Sequence, residues 1–242
     1  DSAGLTMDDI ARSVSTGYGR RMVDEADRTV TEITCHARGA FAMVPDARMV
    51  IDIGGQDSKV IALAENGYVE QFAMNDRCAG GTGKFLETLA RAVNVELGDM
   101  GALAIEAEEF PQISSMCATF AETEVIALLA EGQQLVPVLA GVHAALAKRL
   151  SGLVNRVGLR TPAVMTGGVA RNPAAVKHLE TVLGIGLIVP DQPQIAGALG
   201  AALCALDDLR DAAPDPDRDD RIEDDMSAPA LFIPPCKDGR QG

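Results

Sequence analysis

Three times this chain carries a strand-like stretch into a pair of glycines: Ile53-Gly54-Gly55, Ala79-Gly80-Gly81 and Thr166-Gly167-Gly168. Two residues without side chains at the end of a strand let backbone approach another group closely. A helix that follows turns its first N–H groups and its dipole toward the same place. Several such junctions in one chain call for strands alternating with helices around a sheet. Composition agrees: apolar residues are 47% of the 242, rich in Ala, Leu, Val and Gly, with two Tyr, six Phe and no Trp. That suits an α/β protein with closely packed Ala/Gly helices better than a β-sandwich.

The first junction reads as a hairpin over Arg48–Leu63. Met49 to Ile53 is a buried strand, Gly54 to Ser58 the turn, and Lys59 to Leu63 the return strand. Asp52, a carboxylate ending an apolar strand, can hold a magnesium ion through water, and Gln56 can orient an attacking water. An ordinary turn built on Gly-Gly is the alternative. The second junction follows a strand at Tyr68–Met74 and runs Asn75-Asp-Arg-Cys-Ala-Gly-Gly-Thr-Gly-Lys-Phe-Leu-Glu87. Cys78 precedes the turn, and Leu86, Leu89, Ala90 and Val93 give the next helix one apolar face. Such a helix start favours a phosphate on its N–H groups, a thiolate at Cys78, or an anionic iron–sulfur cluster bound there. The third junction joins a strand at Ala163–Met165 to a helix at Ala174–Leu183.

The rest of the chain reads as helices at Asp24–Ala42, Glu96–Phe110 (stopped by Pro111), Cys117–Glu131, Val136–Val157 and Gln194–Leu206, with a strand at Leu187–Pro190. The last helix, made largely of Ala and Gly, permits tight packing and a hinge between lobes. Glu32 and His36 share a helix face and read as a polar pair at an interdomain surface. Cys35 and Cys204 read as core thiols, His143 as a core or interface residue, and Cys236 has no assignment. Cys117, like Cys78, stands at a helix start. Two cysteines cannot supply the four thiolates of a cubane cluster, but two subunits offering two each can, across a symmetry axis.

The formal charge is −14, and half of it lies in Asp207–Asp225, where ten acids face Arg210, Arg218 and Arg221. With Pro214 and Pro216 interleaved, that segment reads as a solvated linker or tail. There is no basic stripe for nucleic acid and no apolar run of the ~18 residues that would span a membrane. Five cysteines without a leader sequence point to a reducing cytoplasm.

Four motifs occur in order: Asp52-Ile-Gly-Gly-Gln-Asp-Ser-Lys59, the Asn75–Glu87 stretch, Cys117-Ala-Thr-Phe-Ala-Glu-Thr-Glu-Val-Ile126 and Met165-Thr-Gly-Gly-Val-Ala-Arg-Asn172. From about Ser15 to Leu206 the chain resembles the family of benzoyl-CoA reductase ATPase subunits and activators of 2-hydroxyacyl-CoA dehydratases. The resemblance implies an actin-like, sugar-kinase-like ATPase fold with two lobes around a nucleotide cleft. In this chain residues 1–46 would belong to the first lobe and residues 47–193 to the second. Residues 194–210 would form the connecting helix and residues 211–242 the acidic linker and tail. It implies ATP contacts at Gly54, Gly55, Asp57, Lys59, Gly80, Gly81, Thr82, Gly83, Lys84, Gly167, Gly168, Arg171 and Asn172. Asp52, with magnesium, and Gln56 would be catalytic.

It further implies one 4Fe–4S cluster bridging two such subunits, held here by Cys78 and Cys117. ATP hydrolysis would drive an electron at very low potential from a ferredoxin-like donor to substrate-binding reductase or dehydratase subunits. The family's first phosphate loop, of the form Asp-x-Gly-Ser/Thr, does not precede Ser15. The expectation is therefore a truncated chain or an incomplete first lobe. The leading functional expectation is a benzoyl-CoA reductase-type subunit, toward which the acidic tail points. The alternatives are a homodimeric dehydratase activator, a small-molecule kinase without a cluster, and a non-hydrolysing assembly subunit.

Overall fold

A computed structural model describes Gly4, residues 6–114 and residues 117–212. A short parallel pair, β1 (Val14–Ser15) and β2 (Arg28–Thr29), precedes helix α1 (Glu32–Met43). The helix expected from Asp24 therefore starts later. Val30 donates its N–H to the Ser15 carbonyl at 3.0 Å, which commits the stretch before it to pairing with β1. Thr31 then caps α1, its Oγ1 accepting from the Thr34 N–H at 3.3 Å. The helix stops before Pro45, which disfavours helical backbone at Val44.

The main sheet has five strands in the order β5-β4-β3-β6-β7. The expected hairpin is present as β3 (Met49–Ile53) and β4 (Ser58–Leu63), and β5 (Val69–Asn75) extends it antiparallel. On the other side of β3 lie β6 (Ala163–Thr166) and β7 (Leu187–Ile188), both parallel. Between β5 and β6 run α2 (Gly83–Ala92), α3 (Leu97–Ala104), α4 (Ala118–Ala130) and α5 (Leu135–Val157); α6 (Pro173–Leu183) follows β6, and α7 (Ala196–Ala212) follows β7. α3 is shorter than the expected Glu96–Phe110. Its end is fixed by Lys177 of α6, whose Nζ donates to the Ile105 carbonyl at 3.3 Å.

The two-residue period of β3 divides the core. Met49, Ile51 and Ile53 face one layer with Leu86 and Leu89 of α2, Leu139, Leu146 and Leu150 of α5 and Leu179 of α6. Val50 faces the other layer, with Ala37 and Ala40 of α1, Ile61 and Val164. Both faces are covered, so β3 and β4 are buried at every position. Asp52 is in register with Val50, so it points to the α1 side.

α1 and α7 pack at close range, as the small residues of α7 lead one to expect. A Cβ at Gly39 would stand 1.8 Å from the Ala196 carbonyl oxygen, and one at Gly200 the same distance from that of Cys35. α7 also continues into the segment expected to be linker. Asp207 accepts from Arg38 at 2.7 Å, and Asp208 pairs with Arg12 at 3.2 Å and with Arg28. Three cations from the N-terminal part of the chain thus hold these acids in the helix. The remainder of the expected tail, with Cys236, lies outside the described residues. No described helix is long and apolar enough to cross a membrane.

Candidate functional site

The three glycine junctions meet at the carboxyl ends of β3 and β6. The Gly83 N–H donates to the Gly54 carbonyl and the Lys84 N–H to that of Gly55, each at 2.8 Å. The first turn of α2 is therefore tied to the hairpin turn. A Cβ at Gly83 would lie 3.1 Å from Gly54 O and 3.2 Å from Val169 Cγ2. Gly167 has φ +86°, and a Cβ there would come within 2.3 Å of the Ile53 carbonyl oxygen, so only glycine fits.

These contacts leave a cleft of about 410 Å³. Of the residues expected at a nucleotide, Gly55, Gly83, Gly168, Arg171 and Asn172 line it. Leu86, Leu97 and Val169 supply apolar wall and Gln194 an amide, none of them among the residues expected at a nucleotide. An apolar slot at strand carboxyl ends, with a few polar groups at its rim, suits a flat heteroaromatic ring bearing a polar chain. One expectation is corrected. The N–H groups of Gly83 and Lys84 do not face an open anion site, because the hairpin carbonyls take them. Gly55, Gly98 and Gly168 are the exposed glycines at the cleft, and of these Gly55 and Gly168 belong to the glycine junctions.

Asn172 is held from two sides. Its Oδ1 accepts from the Ala175 N–H at 3.0 Å, capping α6, and its Nδ2 donates to His143 Nε2 at 3.0 Å. His143 is fully buried in α5, as a core histidine should be, and its Nδ1 stands 2.7 Å from the Leu139 carbonyl. Desolvation, with a smaller push from His178, lowers its pKa to about 4, against the opposing bonds to Leu139 and Asn172.

Asp52 does not line the cleft. It sits beneath the hairpin turn, 2% exposed, with Thr166 Oγ1 donating to Oδ1 at 2.8 Å, His36 Nδ1 3.2 Å from the same oxygen and Lys59 Nζ 3.6 Å from Oδ2. His36 Nδ1 lies outside hydrogen-bond geometry with that oxygen. Burial pushes the carboxyl up, but His36, Lys59 and Thr166 together hold it below its ordinary value, so it is ionised. Of the polar pair expected at an interdomain surface, Glu32 and His36, it is His36 that meets Asp52, because the period of β3 aims Asp52 at α1. Lys59 is 3% exposed and also pairs with Asp57, so neither extends into the cleft. Gln56 is exposed at the turn.

Gly80, Gly81 and Thr82 form the turn that leads from Cys78 into α2. Ser58 Oγ donates to the Gly81 carbonyl, Thr82 Oγ1 to that of Ala79 at 2.9 Å, and Asn75 Nδ2 to that of Cys78 at 2.8 Å. Cys78 and Cys117 are free thiols, partly exposed, at the starts of a 3₁₀ turn and of α4. The Phe120 N–H, followed by Thr119 and the Arg149 charge, holds the Cys117 thiol below its ordinary pKa. Arg149 Nη2 also donates to Cys78 Sγ at 3.0 Å. Two accessible soft donors beside helix starts and a cation fit an anionic iron–sulfur group completed by a second subunit. By contrast, Cys35 is fully buried, with its thiol pushed up by desolvation. Among the described residues no group of three or more His, Cys, Asp or Glu side chains is arranged to hold a metal ion.

The model of the BadF/BadG/BcrA/BcrD ATPase family matches residues 1–205. An activator of lactoyl-CoA dehydratase from Anaerotignum propionicum is 47% identical over 205 residues, covering 85% of this chain and 79% of that protein. The 2-hydroxyisocaproyl-CoA dehydratase activator of Clostridioides difficile is 44% identical over 209 residues, covering 86% of this chain and 79% of its own. Its structure with bound ADPNP superposes with a TM-score of 0.83 over 86% of this chain and 78% of that one. One of the subunits of benzoyl-CoA reductase from Thauera aromatica is 37% identical over 210 residues, covering 84% of this chain and 74% of that protein. With an actin-like α/β fold and this agreement along its length, the chain belongs to the BadF/BadG/BcrA/BcrD ATPase family.

Proposed function

We propose that this chain is an ATP-hydrolysing activator that delivers low-potential electrons to a 2-hydroxyacyl-CoA dehydratase. The observation that carries this is its greater likeness to two dehydratase activators than to a component of benzoyl-CoA reductase. The reductase-type reading, first among the sequence expectations, is thereby the weaker of the two. The proposal retains the division into a first lobe of residues 1–46, a second lobe of residues 47–193 and a connecting helix between them. The partners in this reading are a second ATPase-type subunit, the dehydratase and a ferredoxin-like donor.

The residues divide the work. The cleft walls Leu86, Leu97 and Val169 take the adenine, with Arg171, Asn172 and Gln194 at its edge. Gly55 and Gly168 bring backbone against the phosphates. Asp52, ionised but buried beneath the hairpin turn, would reach a magnesium ion only through water, and Gln56, exposed at that turn, would orient the attacking water. Cys78 and Cys117 hold half of a shared 4Fe–4S cluster, which supplies one-electron chemistry when bound. Gly54, Gly55, Gly83 and Lys84 link the two regions, because nucleotide at the hairpin bears on α2 and on the turn after Cys78.

Iron, acid-labile sulfide and subunit composition of anaerobically purified protein test the reading. About four irons per pair of chains, in a preparation without reductase subunits, are expected. Co-purifying reductase subunits would move the assignment to that class, and iron-free protein that phosphorylates a small molecule would replace it with a kinase.

A further inference from the structure

The two cysteines share one cation. Arg149 lies in the middle of α5, and its side chain runs along the glycine turn after Cys78. A Cβ at Gly80 would stand 3.2 Å from Arg149 Nη1, and one at Gly81 would stand 3.4 Å from Cδ. The missing side chains of those two glycines are what let the guanidinium reach the thiol. Nη2 then donates to Cys78 Sγ at 3.0 Å, and the same charge acts on Cys117. Beside it lies a hollow of about 310 Å³ whose lining includes a second arginine, Arg156, and Asn75. An arginine cannot lose its proton at any working pH, so this is a fixed positive charge in contact with one ligand sulfur and near the other.

We propose that Arg149 tunes the reduction potential of the iron–sulfur group held by Cys78 and Cys117, favouring its reduced form. This rests on the cluster reading given under the proposed function. Reduction adds one electron, taken from a low-potential one-electron carrier, breaks no bond and makes the group more negative by one charge. A nearby cation stabilises that product more than the reactant, and an N–H donated to a ligand sulfur acts in the same direction. With the cluster shared by two chains, two such arginines flank it. Arg149 is thus a positioning and tuning residue, and its effect appears in a potential rather than only in turnover.

The test is an EPR-monitored redox titration of wild type, Arg149→Gln and Arg149→Lys, purified anaerobically as the complete protein, with iron content and thermal midpoint from the same samples. Arg149→Gln should keep its iron and need about a tenfold greater excess of reductant for half-reduction, a downward shift of ~59 mV for a one-electron couple. Arg149→Lys, which keeps a charge, should recover part of that shift. An Arg149→Gln protein with full iron and the wild-type midpoint overturns the proposal. If Arg149→Gln loses its iron, Arg149→Lys decides. Iron held near the wild-type midpoint supports the charge role, whereas loss in both variants overturns it and leaves Arg149 as packing for the glycine turn. Wild type without iron removes the cluster reading and this proposal together, an outcome distinct from wild type that binds iron and variants that show no shift.

Discussion

His143 has both ring nitrogens committed, one toward its own helix at Leu139 and one to Asn172 at the cleft. Protonation would put a second N–H against the Asn172 amide, which is already donating. The folded state therefore holds the imidazole neutral, with a pKa near 4 against the ordinary 6.5. For a base with a depressed folded pKa, the unfolded chain binds the extra proton between those values. The stabilisation is complete above pH 6.5 and is lost as pH falls toward 4, to a total of about 3 kcal/mol. Urea unfolding of wild type should lose roughly 2 kcal/mol from this residue between pH 7 and pH 5. His178, also lowered by burial, adds to the slope, so the comparison is with His143→Gln, in which the loss should shrink by about that amount. Equal slopes in the two proteins would mean that His143 is not the group titrating. The core character of His143 was legible from its place on an apolar helix face. Its grip on Asn172 was not, because that contact joins α5 to the start of α6.

At the scale of elements, α1 and α7 show how far composition reaches. The Ala/Gly content of α7 announced a close helix contact, and Gly39 and Gly200 fill it, each with a carbonyl where a Cβ would go. Gly39→Ala should cost about 3 kcal/mol or more in unfolding free energy, since backbone rather than a flexible side chain must move. Gly152→Ala makes the control. Nothing lies within 4 Å of a Cβ at that helical position, so alanine should stabilise by ~0.5–1 kcal/mol. Gly39→Ala with wild-type stability would show that the two helices slide apart freely. The boundaries of α1 and α3 escaped prediction for a related reason. A β1 carbonyl and a lysine from α6 set them, and both partners are distant in sequence. The acidic run at Asp207 and Asp208 misled in the same way, since its cations lie near the other end of the chain.

The molecule as a whole is organised by the meeting of its three glycine junctions, and nucleotide binding should register there as global stability. A ligand that binds only the folded state adds about 2.7 kcal/mol at 100 times its Kd. With magnesium and a non-hydrolysable ATP analogue, the chain should show that gain in urea unfolding. Gln56→Ala should keep the gain while its ATP turnover falls tenfold or more, as suits a residue that orients water. Loss of the gain in this variant would make Gln56 a binding residue, and unchanged turnover would remove its role.

The order of residues alone determined the hairpin, the three glycine junctions, the two cysteines at helix starts and the apolar faces of the helices. All of these are local: alternation, helical spacing and the special backbone of glycine act within a few residues. Only the tertiary structure decided that His36 faces Asp52, that Lys59 is an internal counterion, that hairpin carbonyls occupy the first N–H groups of α2, and that Arg149 of α5 donates to Cys78. Those pairings depend on which buried charge finds a partner once water is excluded, and desolvation acts on neighbours in space whatever their separation along the chain.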